Sequence, residues 1–463
     1  MEKREKKKFT VPHIYVLLFC VIIFCSILTW VLPAGEFDRV QNEAGREVVV
    51  AGSYHSVEPS PVGAFDTIKA VYNGMLNGSG VIFFVFLAYA SIGLIISTGA
   101  FNGLIGKMLK NLRGKSRVII IPIFILVLGI SSSTIGIFEE AFPFIPIFVG
   151  ISIAMGYDAV VGLAIVALGV GLGYAGAIMN PFTVGMANSI AGLPQLTGVS
   201  FRIISHLITI VIASIFTIRY ALKIQDDPTK SYVYGDDFSH IAMKSEDLEN
   251  HVFGIREKLV LIVFAIGIAV IVWGVKVHGW YFEDLSAVFM IMGVISALIK
   301  GDRLNDIGHK FSRSFKDVAM ACMLIGFARG ILVVLEQGHI IDTIIYGLSI
   351  PLNQMPKWFT GVAMLFVQTI LNFIIPSGSG QAVTSMPIMA PLSDIIGLSR
   401  QVSVLAFQFG DGLSNIIWPT CMAPIMCGLA GVKIEKWWKF IVPLFIILFI
   451  AQAVLVTIAA YIW

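Results

Sequence analysis

The feature that most constrains this chain is an interrupted apolar stretch between Ser131 and Gly192. It opens with a polar knot, Ser131-Ser132-Ser133-Thr134, followed by the adjacent acids Glu139 and Glu140. Beyond Pro143 and Pro146 lies a second apolar segment, Ala159–Gly176, crowded with glycine (Gly169, Gly171, Gly173, Gly176). That segment breaks at Met179-Asn180-Pro181 and resumes as Phe182–Gly192. Hydrocarbon supplies no water to backbone groups, so a helix broken at membrane depth survives only inside protein or around a wet cavity. The N–H and C=O groups freed at such a break are ready ligands for ions and charged substrates.

The same order of features returns about 241 positions later. Ile375-Pro376-Ser377-Gly378-Ser379-Gly380-Gln381 forms a second polar knot, followed by Pro387 and Pro391, then Gly410-Asp411-Gly412 and a break over Asn415–Pro419. Matching Pro146 to Pro387 places Glu140 opposite Gln381, Gly169 opposite Gly410 and Gly171 opposite Gly412, with a three-residue gap before Pro181 meets Pro419. Paired, interrupted hydrophobic segments in corresponding halves point to the binding site of a secondary transporter.

The composition agrees. A chain of 463 residues that is 57% hydrophobic and 13% charged, with mean hydropathy +0.87, is a polytopic membrane protein rather than a soluble enzyme. The five cysteines (Cys20, Cys25, Cys322, Cys421, Cys427) fall in apolar runs without metal-ligand spacing and read as buried small hydrophobes. The basic start, Lys3–Lys8, resembles the first region of a signal peptide. However, His13–Leu32 has about the ~20 residues of a spanning helix and no small-residue cleavage site follows, so an uncleaved first span is expected.

Lys and Arg concentrate in Lys3–Lys8, Lys107–Arg117, Arg219–Lys258, Lys300–Lys316 and Lys433–Lys439, and the positive-inside rule assigns these to the cytoplasm. This works only if residues 118–150 form a hairpin that enters and leaves on the cytoplasmic side, because arms of roughly 14 residues are too short to cross separately. By the same logic residues 358–398 form a hairpin from outside. The fold class is therefore all-α, an inverted repeat with two re-entrant hairpins, two broken helices and about nine crossings, N-terminus cytoplasmic and C-terminus external. Residues 1–78 supply a first span and external loop. Residues 79–222 form the first repeat, with its broken helix at 159–192, and residues 223–256 a solvated cytoplasmic linker. Residues 257–316 are scaffold spans, and 317–463 the second repeat, with its broken helix at 402–431.

Ionisable residues inside the spans are few. An acid or base at a helix centre costs about 2.5–3.5 kcal/mol on insertion scales, so such residues face a cavity or a partner. Glu139 and Glu140 would point about 100° apart on a helix, which disfavours both facing one site. Two carboxylates so close suit a proton or cation site. Asp411 sits just ahead of a break, and Arg329, in Phe327-Ala328-Arg329-Gly330, is either a structural partner for an acid or a clamp on a substrate carboxylate. Glu336 lies near the end of its span, within reach of water. The knots offer hydroxyls and approachable backbone, or else merely build tight hairpins. The candidate substrate-binding set is Ser131, Ser132, Ser133, Thr134, Glu139, Glu140, Asn180, Arg329, Ser377, Gly378, Ser379, Gly380, Gln381, Asp411 and Asn415. No catalytic group, metal ligand or cofactor is expected. The partners expected are a small-molecule substrate and membrane lipid, with no nucleic acid.

Rival functions fare worse. Gly156-Tyr157-Asp158 and Phe409-Gly410-Asp411 are faintly similar to the motifs of presenilin-type intramembrane proteases, but Gln408 stands where glycine is required. No G-x-x-x-x-G-K-[ST] phosphate loop is present for ATP-driven transport. A channel or receptor would need a continuous polar pore or a sensor domain, and neither is visible.

Val31-Leu32-Pro33-Ala34-Gly35-Glu36-Phe37-Asp38, after a first span opening Phe9-Thr10-Val11-Pro12, resembles the YfcC group of the C4-dicarboxylate anaerobic carrier (DcuC-like) family. Gly136-Ile137-Phe138-Glu139-Glu140 and Ala328-Arg329-Gly330 belong to the same likeness, which covers essentially the whole chain. The resemblance implies the ion-transporter superfamily fold: a homodimer of scaffolds, each carrying a block of two hairpins and two broken helices that moves as an elevator. Sodium–dicarboxylate symporters of that superfamily carry Ser-Asn-Thr at their hairpin tips. Neither Ser131–Thr134 nor Ser377–Gly380 contains Asn, so coupling to a proton, to sodium or to a counter-substrate all stay open. Group members are named both as dicarboxylate carriers and as basic amino-acid exchangers. Arg329 is outnumbered by Glu139, Glu140 and Asp411, which favours a cationic amino acid, arginine or ornithine, over succinate or fumarate.

The topology is directly testable. Cysteines placed at Arg113 and Lys244 are expected to react only with membrane-permeant thiol reagents, and those at Glu43 and Gln354 with impermeant reagents from outside. Labelling of Gln354→Cys from the cytoplasm would break the inverted arrangement.

Overall fold

The computed structural model describes residues 12–41, 47–50, 52–103, 114–238, 241 and 253–463. The cationic clusters at Lys3–Lys8 and Lys107–Arg113, part of the linker (239–240 and 242–252), and the test positions Glu43, Arg113 and Lys244 lie outside them.

The chain opens with α1 (Ile14–Val31) and four short strands, β1 (Gly35–Glu36), β2 (Arg39–Gln41), β3 (Glu47–Val49) and β4 (His55–Ser56). These pair antiparallel as β1 with β4 and β2 with β3. Next come α2 (Ala64–Asn77), α3 (Ser79–Ser97), α4 (Ile120–Ile135), α5 (Ile145–Ala154), α6 (Ala159–Gly176), α7 (Val184–Ile190) and α8 (Val199–Asp226). The second half holds α9 (Ile255–His278), α10 (Phe282–Lys300), α11 (Leu304–Gln337), α12 (Ile341–Ser349), α13 (Lys357–Ile374) and α14 (Gly378–Ile396). It ends with α15 (Arg400–Ser414), α16 (Ala423–Ala430) and α17 (Ile434–Ile462).

The anticipated order is present twice: helix, two-armed hairpin, broken helix, long helix. It runs α3, α4–α5, α6–α7, α8, and again α11, α13–α14, α15–α16, α17. The two sets pack reciprocally, α7 on α14 and α16 on α5, while α6 crosses α15. Around this block stand α1, α2, α3, α9, α10 and α11.

Local chemistry explains the boundaries. Asp158 caps α6 by accepting from Val161 N (3.0 Å), and Ser377 caps α14 by accepting from Gly380 N (3.3 Å). The turn of the first hairpin needs a left-handed residue, supplied by Gly136 at φ 86°. Glycine lets the core helices touch: a Cβ at Gly412 would lie 2.2 Å from Ala175 N, and one at Gly173 would lie 2.4 Å from Gly129 O. Every residue of α15 after Arg400 is buried.

Both breaks are closed by bonds from neighbouring elements. At the first, Met179 N donates to Ser133 O (3.0 Å), and the Asn180 side chain accepts from Phe182 N (2.9 Å). The tip of the first hairpin is therefore level with the break in α6. At the second, the Asn372 amide donates to Asp411 O (3.0 Å), and the indoles of Trp437 and Trp438 donate to Ile416 O (2.8 Å) and Ile417 O (2.9 Å).

Several expectations need correction. Among the described residues nine helices are long and apolar enough to cross a membrane, but they are not the nine anticipated. Ser116–Ile135 qualifies, so the first hairpin's leading arm is longer than expected and its length alone does not force re-entry. α15 does not qualify, being only 15 residues long and made polar by Gln401, Gln408 and Asp411. The boundary at 316/317 falls inside α11, since no proline lies between Leu304 and Gln337. The stretch between α1 and α3 contains a missed helix, α2, and the two short ladders, so the protein is not purely helical. The described start of the linker is docked rather than solvated: Ser231 and Tyr220 both donate to Asp158 (2.6 Å each), and Lys436 pairs with Asp236 (2.7 Å).

On one face the loop after α1 is strapped to α12. Arg39 pairs with the buried Asp342 (2.8 Å), which also accepts from Phe37 N (3.0 Å), and Tyr54 stacks on Tyr346 at 4.3 Å. From the same loop, β3 rests against α14.

The α6–α15 crossing yields a stability prediction. Gly412→Ala is expected to cost about 1–3 kcal/mol through overpacking and to lower the apparent melting temperature in detergent. Gly308→Ala, whose added methyl meets nothing within 4 Å, is expected to leave it unchanged.

Candidate functional site

Two chambers meet where the hairpin block faces the surrounding helices. The inner one, about 290 Å³, is lined by Glu139, Glu140, Tyr174, Gly378 and Asn415, among others. The outer one, about 940 Å³, opens toward the strapped loop and is lined by Glu36, Arg39, Glu336, His339 and Asp342, among others. Six residues border both and so form the neck between them: Asn77, Phe182, Tyr281, Arg329, Ser377 and Ser379.

Each wall follows from a local element. Glu139 and Glu140 open a short 3-10 helix, Glu139–Phe144, so the chain arrives at the cavity end-on. Glu140 Oε2 accepts from Phe138 N (2.9 Å) across this turn. Both acids line the inner chamber, against the expectation of 100° separation on an ordinary helix face. Arg329 projects from α11 at the neck and lies within 4.0 Å of no described carboxylate. Ser377, Gly378 and Ser379 begin α14, whose first N–H groups and dipole favour an anion there.

The site thus has two poles. The neck carries Arg329 and the α14 N-terminus; the depth carries Glu139 and Glu140, which do not reach the outer chamber. A ligand with a carboxylate at one end and a cation at the other matches this polarity.

The remaining candidates sit elsewhere. The hydroxyls of Ser131, Ser132, Ser133 and Thr134 donate to main-chain oxygens of Val127, Val170 and Ile130, and none lines either chamber. Such back-bonding within a helix's last turn competes with ligand binding. Asn180 is buried in the break, where its side chain caps Phe182 N. Gln381 is buried against Gln368, and Gly380 lines only the outer chamber. Asp411 is fully buried behind Gly378 and lines neither. Glu336 lines the outer chamber, as its position near the end of the span suggests.

Sequence reasoning missed Asn77, Tyr174, Phe182 and Tyr281. Tyr174 and Phe182 flank the break and could have been read from that proximity. Asn77 and Tyr281 belong to α2 and to the start of α10, and nothing local marks them. Among the described residues no group of three or more His, Cys, Asp or Glu side chains could hold a metal ion.

The boundary of the chamber can be mapped chemically. Ser379→Cys is expected to react with a small impermeant thiol reagent and to be protected by substrate. Ser132→Cys, whose site is fully buried between α4 and α6, is expected to stay unlabelled.

The chain matches the family model "C4-dicarboxylate anaerobic carrier" over residues 11–461. A protein of Haemophilus influenzae with no assigned role is 31% identical over 487 aligned positions, covering 95% of each chain. A protein of Escherichia coli K12, provisionally named basic amino acid antiporter YfcC, is 31% identical over 499 positions, covering 98% of this chain and 97% of its own. Among solved structures, Neisseria gonorrhoeae MtrF, from work on a class of antimetabolite efflux pumps, aligns over 98% of this chain and 96% of its own at 17% identity, with TM-score 0.45. With a family model spanning nearly its whole length and full-length relatives at 31% identity, this chain belongs to the C4-dicarboxylate anaerobic carrier family of membrane transporters.

Proposed function

We propose that the protein is a secondary active transporter of the cell membrane that exchanges basic amino acids of the arginine and ornithine type. The observation that carries this reading is the polarity of the inner chamber. Two carboxylates, Glu139 and Glu140, lie deep, and a single cation, Arg329, lies at the neck beside the α14 N-terminus. An α-carboxylate on Arg329 and the first amides of α14 would leave a distal guanidinium or ammonium beside the two acids. A chamber of about 290 Å³ is in keeping with a small ligand. The name of the Escherichia coli relative points the same way.

The family's name supports the second reading, a C4-dicarboxylate such as succinate or fumarate. That ligand would set its second carboxylate beside Glu139 and Glu140, which like-charge repulsion opposes.

Alternating access then takes the form of an elevator. The hairpins and broken helices carry the polar groups, and α1, α9 and α10 present outward apolar faces (Phe24, Ile27, Ile262, Ile266, Ile291) suited to lipid or a dimer partner. The long arms α8 and α17 would travel with the block, which they contact through α4 and α13. The cytoplasmic N-terminus and external C-terminus follow the distribution of Lys and Arg. An empty acidic site resists crossing the membrane, which favours obligatory exchange or proton coupling over uncoupled flux.

Proteoliposomes preloaded with ornithine are expected to take up labelled arginine and to ignore succinate and fumarate. Succinate uptake that excess arginine fails to inhibit would overturn the basic amino-acid assignment. Glu140→Gln is expected to raise the KM for arginine by about tenfold or more, ~1.4 kcal/mol, and to affect a neutral amino acid far less. An equal effect on both would show that Glu140 does not meet the distal cation.

A further inference from the structure

Asp411 stands one layer behind the wall of the inner chamber. α15 turns Gln408 and Asp411, three residues apart, toward α6, where Gln408 Nε2 donates to Tyr174 O. The carboxyl packs against the Cα of Gly378: a Cβ added there would lie 2.8 Å from Asp411 Oδ2, 2.8 Å from Thr183 Cγ2 and 3.0 Å from Tyr174 Cε1. Asp411, Thr183 and Gln408 are each 0% exposed.

The unpartnered atoms here are all oxygens. Neither carboxyl oxygen of Asp411 has a hydrogen-bond partner, nor does Thr183 Oγ1 or Gln408 Oε1. The Asn415 amide, beside the carboxyl, donates to the Asp411 main-chain oxygen (2.8 Å). A dry, ionised carboxylate whose oxygens accept no hydrogen bond and pair with no described cation is untenable, because nothing replaces its lost hydration. Protonation makes one carboxyl oxygen a donor to the acceptors Thr183 Oγ1 and Gln408 Oε1, while the Thr183 hydroxyl can itself donate to the other carboxyl oxygen. A proton also needs no room, whereas a metal ion would need space that the contacts around Gly378 take up.

Accepting the transporter reading above, we propose that Asp411 is a proton-binding carboxyl, separate from the substrate chamber, that signals its charge to the second hairpin through Gly378. When Asp411 is protonated, the first amides of α14 are free to hold a substrate carboxylate in the chamber. When it loses its proton to water, the carboxylate competes from behind for those same amides and draws the hairpin tip toward itself. Gly378 permits this because its backbone lines the chamber while an added Cβ there would lie 2.8 Å from the carboxyl. The other titratable groups near Asp411 are Tyr174 from α6, Cys421 from the turn after α15, and Glu139 from across the chamber. From α13 the neutral Asn372 donates to the Asp411 main-chain oxygen, and α14 approaches the carboxyl at Gly378.

The test uses full-length protein in proteoliposomes, comparing wild type, Asp411→Asn and Gly378→Ala. Arginine–ornithine counterflow without a pH gradient is expected to stay within about twofold of wild type in Asp411→Asn. Accumulation driven by a pH gradient is expected to fall at least about tenfold, ~1.4 kcal/mol. Retention of gradient-driven accumulation with the wild-type pH profile would overturn the proposal. So would wild-type accumulation that follows a sodium gradient and is lost in Asp411→Asn. Infrared difference spectra on raising the pH read the carboxyl without any substrate. Wild type is expected to lose a protonated-carboxyl C=O band that Asp411→Asn lacks from the start. If arginine is not carried, the substrate assignment falls but this band still decides the proton site: its presence upholds Asp411, and identical spectra reject it. If Asp411→Asn fails to fold, Gly378→Ala keeps the carboxyl but crowds it. It is expected to move the midpoint of that band by about one pH unit, and an unmoved midpoint rejects the coupling through Gly378.

Discussion

Everything in this protein depends on finding partners for backbone groups where water is absent. Two helices stop in the middle of a buried block, and each stop frees N–H and C=O groups that hydrocarbon cannot solvate. The chain closes these gaps from its own surroundings. Ser133 O receives Met179 N at the first break, and Asn372, Trp437 and Trp438 occupy carbonyls at the second. The two solutions differ in kind. The first break is sealed by a neighbouring turn of backbone and the second by long side chains from elsewhere, so similar element order does not require similar bonding.

Once the breaks are sealed, what remains unsatisfied defines the site. The first amides of α14, the guanidinium of Arg329 and the carboxylates Glu139 and Glu140 converge on one chamber without neutralising one another at contact distance. Burying this much charge is costly, and proteins keep such sites where a ligand completes them. Apolar packing supplies the stability elsewhere: α6, with glycines at its contacts with α4 and α15, is almost entirely buried, so the polar chamber rests on a dense support.

Much of this was legible in the sequence, and the parts that were not share a cause. The hairpins, the breaks, Glu139, Glu140, Arg329 and Ser377 could be placed because Pro, Gly and ionisable residues interrupt apolar runs where interruption is expensive. The Ser131–Thr134 knot misled because hydroxyls in a helix's last turn have a local alternative, the carbonyl one turn back, that sequence does not distinguish from a ligand. Asp411 was placed at the right break and on the wrong side of it, since one glycine, Gly378, decides whether a side chain meets the chamber or the protein behind it. Asn77 and Tyr281 come from helices that contact the block only in three dimensions, and no periodicity records that. The extension of α11 back to Leu304 was hidden by its charge, which reads as a loop until the helix is seen to leave the apolar region intact.

The strapped loop has a mechanical consequence. Its β2–β3 ladder is anchored on one side by Arg39 to Asp342 of α12, and on the other leans on α14 through β3. It therefore bridges two elements that need not travel together. If the second hairpin shifts, this ladder must either peel from it or stretch, and the threshold force for that is fixed by a few contacts outside the inner chamber. Turnover and affinity would then be set by different parts of the chain. The loop would act as a spring-loaded latch whose stiffness could drift between relatives while the chamber stays the same.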